Sequence, residues 1–278
     1  MLKKILLLVR VSRPLSWPLT ALLFGTGIVI SNVEITYYAI INGLLASILL
    51  PLIVFGVNDV YDYKTDIINR RKRSAIHGMA LESRHHRLVL GAALAATGTL
   101  AIFSAFTRNY TNIVATAVAI LIAWAYSEPP LRLKEKPPLD SLSNAALVWS
   151  VILLGYSHGN SLVSLPVSVY FASLAAAAIH AMGAIMDYAS DNRANVKTIA
   201  TVFGKRLAAT FSFAVVFAII LFSGIRSLSL RLFFFYAAAA FLVLLLRNDE
   251  RLAKKLFMLG FLVALASLCL FIYQQFYK

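Results

Sequence analysis

Two short segments of this chain carry nearly the same arrangement of carboxylates: DYKTD at 62–66 and DYASD at 187–191. Each segment closes a long apolar run. The candidate ligands in and just before the two segments are Asn58, Asp59, Asp62, Asp66, Asp187 and Asp191. Residues four apart share one face of a helix, and like charges at that spacing repel each other. A cation is therefore expected beside each column of oxygen ligands.

The ligand atoms indicate which cation and which partner to expect. All are oxygen atoms, because neither segment contains His or Cys, and such sets favour a hard cation such as Mg²⁺. Mg²⁺ usually combines a few carboxylates with waters and substrate phosphates, so a phosphate or diphosphate partner is expected. Basic residues suited to phosphate contact follow in sequence. They are Arg70, Arg71, Arg73, Lys134 and Lys197.

The elements that must position these residues are apolar helices. Hydrophobic residues make up 60% of the chain and charged residues only 14%, which excludes a disordered chain and is atypical of a soluble one. Apolar runs of membrane-spanning length recur, without the alternation that a membrane β-barrel requires. The chain is predicted to be an all-α polytopic membrane protein of about nine spans, with residues 1–278 as one domain. The spans are predicted near 15–31, 37–61, 88–106, 111–126, 141–157, 166–186, 207–224, 231–246 and 256–275.

The positive charge of the chain supports this topology. Most of the 26 Lys and Arg residues fall on one side when the spans are threaded from a cytoplasmic N-terminus, as the positive-inside rule requires. A multi-pass protein of the cell membrane is therefore predicted, with the acidic segments in the cytoplasm. The net charge of +14 then needs no nucleic-acid partner. Cys269 is the single cysteine, so neither a disulfide framework nor a thiolate metal site is expected.

Simpler interpretations exist for each feature. An Asp pair at a helix end is often a solvated cap, and a basic run such as RRKR is typical of a topology signal or of contact with anionic lipid. His180, inside the sixth predicted span, is expected to be a hydrogen-bonded core residue. An ion-coupled transporter also carries carboxylates on corresponding helices, and this remains the alternative function. Carrier acids, however, tend to lie near the bilayer midplane, whereas these close their helices on the cytoplasmic side.

The first acidic segment resembles a signature of the UbiA superfamily of intramembrane prenyltransferases. NDVYDYKTD matches the pattern N-D-x-x-D-x-x-x-D at every fixed position. The second signature, D-x-x-x-D-x-x-x-G-x-x-T, is matched at Asp187, Asp191 and Thr198. Asn195 stands where glycine is usual, and asparagine tolerates the left-handed backbone better than most residues. We therefore expect the turn at this position to be kept.

Two further features are similar to the same family. The segment from Tyr126 to Lys134 resembles Y-S-x-P-x-x-x-K, and an Arg13-Pro14 pair precedes the first span. One departure is informative: where many members have N-x-P-x-R-P-x-x-x-G, this chain has Arg71 and Ser74 in place of the two prolines. That difference weakens assignment to the aromatic (quinone-type) and glycerolipid branches. The segment NRRKRSAIHG somewhat resembles the carotenoid-elongating branch.

The resemblance implies both a fold and a reaction. The fold would be nine helices around a central cavity that opens sideways to lipid. Two Mg²⁺ ions would bridge the diphosphate of an allylic donor, and the prenyl group would pass to a lipophilic acceptor with release of pyrophosphate. The residues implied in catalysis are Asp62, Asp66, Asp187, Asp191 and Tyr126. The acceptor stays open between an aromatic acid or quinone precursor, geranylgeranylglyceryl phosphate, a haem, a chlorin and a carotenoid, and no obligate protein partner is evident.

Overall fold

The computed structural model describes residues 1–63 and 81–276, which form helices and short loops with no strand among them. The α-helices are α1 (Leu2–Val11), α2 (Trp17–Ser31), α3 (Tyr37–Tyr61), α4 (His86–Phe106), α5 (Tyr110–Ser127), α6 (Leu139–Tyr156), α7 (Val167–Met186), α8 (Tyr188–Arg193), α9 (Ile199–Phe203), α10 (Lys205–Phe222), α11 (Leu228–Arg247) and α12 (Glu250–Phe276). Short 3₁₀ helices lie at Pro14–Ser16, Ser83–His85, Leu133–Glu135 and Leu162–Ser164. The predicted all-α class is confirmed.

Nine helical segments within the described residues are long and apolar enough to cross a membrane, which confirms the predicted number of spans. Most of their ends lie within a few residues of the prediction. The largest difference is at the last span, which begins at Glu250 instead of near residue 256. There the helix starts with about one and a half turns rich in charged residues. The apolar pattern alone did not predict these residues as part of the span. The chain is thus an integral membrane protein that crosses the bilayer several times.

The chain divides into two compact units. The first consists of Met1–Arg132 and Ser150–Ser164, and the second of Leu133–Trp149 and Leu165–Lys278. Helix α6 therefore contributes its first half to the second unit and its last turns to the first. The prediction of a single domain stays a prediction.

Close helix packing in the first unit depends on two glycines. A Cβ atom at Gly27 of α2 would overlap the carbonyl oxygen of Ile152 in α6, and one at Gly155 would overlap the carbonyl oxygen of Phe24 in α2. The two backbones therefore touch directly. Small residues at such crossings are typical of membrane helices, where close van der Waals contact replaces the hydrophobic driving force.

A buried polar network lies in the first unit at the end of α3 that is remote from Asp62. The Asn42 side-chain amide donates to Asn112 Oδ1 at 3.2 Å and lies 3.1 Å from His158 Nε2. The Asn112 amide donates in turn to Ser157 Oγ at 2.9 Å. These bonds satisfy polar groups that would be costly to bury alone. They link α3 and α5 to the residues that follow α6.

Alanine-rich packing holds the second unit together. Ala178 and Ala181 of α7 and Ala208 and Ala209 of α10 are all buried. The small side chains allow the two helices to approach closely, and Ser212 Oγ of α10 donates to the Ala178 carbonyl at 3.1 Å. This packing fixes α7, the helix that leads into the second acidic segment.

Candidate active site at the acidic helix ends

The first acidic segment begins in the last turn of α3. Asp62 is the residue that ends the helix, and its backbone N–H donates to the Asn58 carbonyl at 2.9 Å. The predicted column of Asn58 and Asp62 is therefore a real helical turn, and both residues are half-buried. The other predicted residues of this segment and its loop lie outside the described residues. They are Asp66, Arg70, Arg71 and Arg73.

Asp59 forms an ion pair that the sequence did not predict. Arg13 Nη2 lies 3.1 Å from Asp59 Oδ1, and the Asp59 side chain is fully buried. The guanidinium also lies over the Phe55 ring, 4.1 Å from its centroid. A buried carboxylate needs a compensating charge, and Arg13 supplies it from the start of the 3₁₀ helix before α2. The Arg13-Pro14 pair noted in the sequence thus braces the end of α3.

A second arginine, missed by the sequence analysis, contacts the first segment. Arg132 Nη2 lies 3.2 Å from Asp62 Oδ1, with side chains 24% and 17% exposed. Arg132 stands two residues before Lys134, and the pattern Y-S-x-P-x-x-x-K drew attention to the lysine instead. Arg132 carries a positive charge inside the motif whose lysine is predicted to contact phosphate. That charge was the sequence signal that could have identified Arg132.

The third motif lies at the end of α5. Ser127 is fully buried, and its hydroxyl donates to Asn58 Oδ1 at 3.5 Å, so this motif contacts the first acidic segment directly. Tyr126 is half-buried in the last turn of α5. Lys134 is also half-buried, in the 3₁₀ helix Leu133–Glu135, and belongs to the second unit.

The second acidic segment starts at the junction of α7 and α8 and continues through the first turn of α8. Asp187 both ends α7 and precedes α8, and its carbonyl accepts a hydrogen bond from the Asp191 N–H at 2.8 Å. The spacing of four is therefore kept across the junction, and both acids are half-buried. Asn195 has a φ of 53°, which confirms the left-handed turn expected where the family has glycine. Lys197 follows this turn and is exposed.

A cation and a carboxylate from neighbouring helices support the start of this segment. Lys205 Nζ lies 5.1 Å from the centroid of the Tyr188 ring and 3.0 Å from Glu250 Oε1. Lys205 belongs to none of the motifs found in the sequence. The cation–π contact attaches α8 to the start of α10.

The chemistry of the residues fits a hard divalent cation. Each segment offers oxygen ligands alone, half-buried and four residues apart. Within either unit, no three His, Cys, Asp or Glu side chains of the described residues converge. A small set of carboxylates completed by waters and phosphate oxygens is the arrangement that Mg²⁺ prefers over a full protein cage.

Known proteins resemble this chain in fold and, for one group of relatives, in about a third of the aligned residues. A carotenoid enzyme of Corynebacterium glutamicum named lycopene elongase/hydratase is 32% identical over 214 residues, which cover 76% of this chain and 74% of the relative. A structure of digeranylgeranylglyceryl phosphate synthase has a TM-score of 0.76 at 17% identity, covering 99% of this chain and 100% of the other. The structure of a UbiA homologue from Archaeoglobus fulgidus, bound to DMAPP and Mg²⁺, has a TM-score of 0.67 at 20% identity, covering 92% and 98%.

The model of the UbiA prenyltransferase family matches residues 15–265, which include all nine spans almost entirely. The match contains both acidic segments, and with them the helical turns described above. This chain is an intramembrane prenyltransferase and belongs to the UbiA prenyltransferase family.

Proposed function

We propose that this enzyme transfers an allylic prenyl group to an apolar polyene acceptor, and that both acidic segments hold the diphosphate of the donor through Mg²⁺. The observation that carries the proposal is the matched pair of carboxylate turns at the ends of α3 and α7. Two near-identical metal-binding segments in one membrane chain are explained by a leaving group with several negative oxygens. A solvated helix cap explains neither the repetition nor the basic residues beside it.

The proposed metal ligands come from both segments. They are Asn58, Asp62, Asp66, Asp187 and Asp191, with two Mg²⁺ ions. Bound Mg²⁺ supplies the positive charge that stabilises departing pyrophosphate, and the similar A. fulgidus protein was solved with this ion and a prenyl diphosphate. Asp59 was among the predicted ligands, but its carboxylate contacts Arg13 in the protein interior. We assign it the role of holding Arg13 and the end of α3.

Basic, aromatic and apolar side chains are proposed to bind the phosphate, stabilise the allylic cation and exclude water. Arg70, Arg71, Arg73, Lys134 and Lys197 are the proposed contacts to the phosphate oxygens that the metal leaves uncompensated. Tyr126 is proposed to present its ring to the allylic cation. Apolar membrane helices exclude water, which protects that cation until the acceptor reaches it.

A carotenoid-like acceptor is the class that the chain supports best. The C. glutamicum relative is named for elongating lycopene, and Arg71 and Ser74 depart from the proline pattern of the quinone-type and glycerolipid branches. In such a reaction a carbon–carbon double bond of the acceptor attacks the allylic carbon, and the C–O bond to pyrophosphate breaks. The acceptor cation that results then loses a proton or adds water. The word hydratase in the relative's name makes the hydroxylated product worth measuring as well.

No described feature favours the alternative of an ion-coupled carrier. Asp62 ends α3 and Asp187 ends α7, so neither lies in the middle of a span. The carboxylates of carriers lie near the bilayer midplane, commonly in broken helices.

The test is product formation by the purified protein in lipid nanodiscs with dimethylallyl diphosphate and one acceptor at a time. The acceptors are lycopene, 4-hydroxybenzoate and geranylgeranylglyceryl phosphate. We expect a lycopene product enlarged by one prenyl group, formed only with Mg²⁺. Product with either of the other acceptors and none with lycopene would overturn the acceptor class. No product with any acceptor, together with Mg²⁺-driven cation flux, would overturn the proposed reaction.

A further inference from the structure

Besides Asp59, one further carboxylate among the described residues is fully buried, and it lies outside both acidic segments. Asp140, in the first turn of α6, is fully buried. Its Oδ2 accepts a hydrogen bond from the backbone N–H of Ile199 at 2.7 Å, and its Oδ1 has no hydrogen-bond partner among the residues that the structure describes. Burying a carboxylate is costly unless hydrogen bonds or an opposite charge compensate it. Neither the sequence motifs nor the proposed metal set uses it.

The group that Asp140 holds is the first N–H of α9. Two N–H groups beside it are satisfied locally, because Thr198 N–H donates to Thr201 Oγ1 at 2.8 Å and Thr201 N–H donates to Thr198 Oγ1 at 3.2 Å. Ile199 N–H is not used by this capping box, and Asp140 accepts from it across 59 residues of sequence. Asp140 thereby fixes the position at which the chain enters α9.

The residues just before α9 are those proposed to bind metal and phosphate. The segment from Asp187 to Thr198 is held at its start by α7, which ends at Met186. At its far end the Val196 N–H donates to the Asp191 carbonyl at 2.9 Å, and the Thr201 hydroxyl donates to the Val196 carbonyl at 2.8 Å. The path from Asp191 to Asp140 is thus a short series of hydrogen bonds. Loosening α9 would loosen Asp191 and Lys197 together.

The start of the same segment is also braced from α6. Ser141, the residue after Asp140, has its hydroxyl 3.2 Å from His180 Nδ1 in α7. His180 stands two helical turns before Asp187, so the first turn of α6 contacts the elements on both sides of the acidic segment. The expectation that His180 is a hydrogen-bonded residue of the core is consistent with this contact.

We infer that Asp140 is a positioning residue: by accepting from Ile199 N–H it holds the second acidic segment in the shape that binds metal. The inference rests on the proposed function, since it takes Asp191 as a metal ligand. Asparagine keeps an oxygen acceptor at this place and alanine does not. The two substitutions therefore separate the acceptor role from a simple need for charge.

The first measurement is hydrogen–deuterium exchange of the purified protein without substrate. We expect Asp140→Ala to raise exchange in the peptides covering residues 187–204, and Asp140→Asn to stay close to wild type. Ser143→Ala is the matched control, because its hydroxyl is also buried in α6 and donates only to the Asp140 carbonyl at 3.1 Å. Unchanged exchange at 187–204 in Asp140→Ala would overturn the inference.

A second pair of variants removes the donor instead and protects the test against misfolding of Asp140→Ala. Proline is favoured at the first position of a helix and lacks the N–H, and the extended backbone of Thr198 suits a residue before proline. Ile199→Pro is therefore expected to raise exchange at 187–204 relative to Ile199→Ala, which truncates the same buried side chain but keeps the N–H. Equal exchange in these two variants would overturn the inference.

The functional readout is the Mg²⁺ concentration for half-maximal pyrophosphate release. Loss of a hydrogen bond to a charged group corresponds to about tenfold, and we expect a rise of that size in Asp140→Ala with a smaller change in Asp140→Asn. The Asp191→Asn variant separates failure of the proposed metal set from failure of the inferred role of Asp140. If Asp191→Asn leaves the Mg²⁺ response unchanged, the proposed metal set is wrong and so is the inferred role of Asp140. If Asp191→Asn abolishes the response and Asp140→Ala does not alter it, the inference alone is wrong.

Discussion

The two acidic segments have nearly the same sequence and quite different supports. The first follows the last turn of a 25-residue helix, and arginines distant in sequence contact its carboxylates: Arg13 contacts Asp59, and Arg132 contacts Asp62. The second continues onto a six-residue helix between two others, where backbone hydrogen bonds, the cap of α9 and the contact of Lys205 with Tyr188 support it. The two matched segments therefore identify the proposed ligands, but they do not show which contacts hold those ligands in place.

This difference has a physical origin. A long membrane helix is rigid through its own hydrogen bonds, so only the carboxylates at its end need compensation. A six-residue helix is not stable by itself and depends on its anchors at both ends. The first segment should therefore be sensitive to loss of charge, and the second to loss of hydrogen bonds. The predictions that follow test this contrast.

The largest expected loss of stability comes from substitution of Arg13. Arg13→Ala leaves the Asp59 carboxylate buried without its partner, a change that typically costs about 3–5 kcal/mol. The measurement is the thermal unfolding midpoint in detergent, with Arg10→Ala as the control, because Arg10 is exposed on α1. The double variant Arg13→Ala/Asp59→Ala should recover part of the loss. A single variant as stable as the control would contradict the charge-based support of the first segment.

A smaller effect is expected at the cap of the second segment. Thr198→Ala removes one side of the capping box of α9 and should cost about 1 kcal/mol, together with a weaker response to Mg²⁺. Thr36→Ala is the matched control, since Thr36 caps α3 in the same way, accepting from Ala39 N–H at 3.2 Å. The control should lose similar stability and keep the wild-type Mg²⁺ response. Equal Mg²⁺ responses in the two variants would remove the proposed link between α9 and the acidic segment.

Substitution of Arg132 tests whether this arginine substitutes for the metal at Asp62 or supports metal binding. In the absence of metal its guanidinium compensates the half-buried Asp62, and bound Mg²⁺ would take over that role. Arg132→Gln should therefore lower the stability of the metal-free protein by less than about 1 kcal/mol, and Mg²⁺ should raise the unfolding midpoint more in the variant than in wild type. A smaller Mg²⁺ effect in the variant would show that Arg132 supports metal binding instead of substituting for it.

A pH-dependent loss of stability is expected at the end of the first unit that is remote from Asp62. Burial lowers the pKa of His158 from its usual 6.5 to about 4, so the folded protein prefers the neutral ring. Between these pH values the unfolded chain binds the additional proton, and stability is lost as the pH falls from about 6.5 towards 4. The Asn42 amide, 3.1 Å from His158 Nε2, requires the same neutral acceptor. The unfolding midpoint of His158→Gln should depend less on pH over this range, and an unchanged pH dependence would contradict the assignment.

The sequence predicted the helices better than the contacts between them. Span boundaries follow from local hydropathy, and the left-handed turn at Asn195 follows from the conformational tolerance of asparagine. The pairing of Arg13 with Asp59 joins residues 46 apart, and that of Ile199 with Asp140 joins residues 59 apart. Such contacts depend on how helices pack, which a periodic pattern does not encode. For the same reason Asp140 gave no signal in the sequence.

The central claim is that both acidic segments serve one Mg²⁺-dependent departure of pyrophosphate. The most direct test compares Asp62→Asn, Asp191→Asn and the double variant in pyrophosphate release, with Glu34→Gln as the control for an exposed carboxylate. Each single variant should lose about 1,000-fold, and the double variant should lose scarcely more, because residues that act as one unit are strongly non-additive. The control should match wild type. Wild-type release by either single variant, or losses that multiply in the double variant, would contradict the claim.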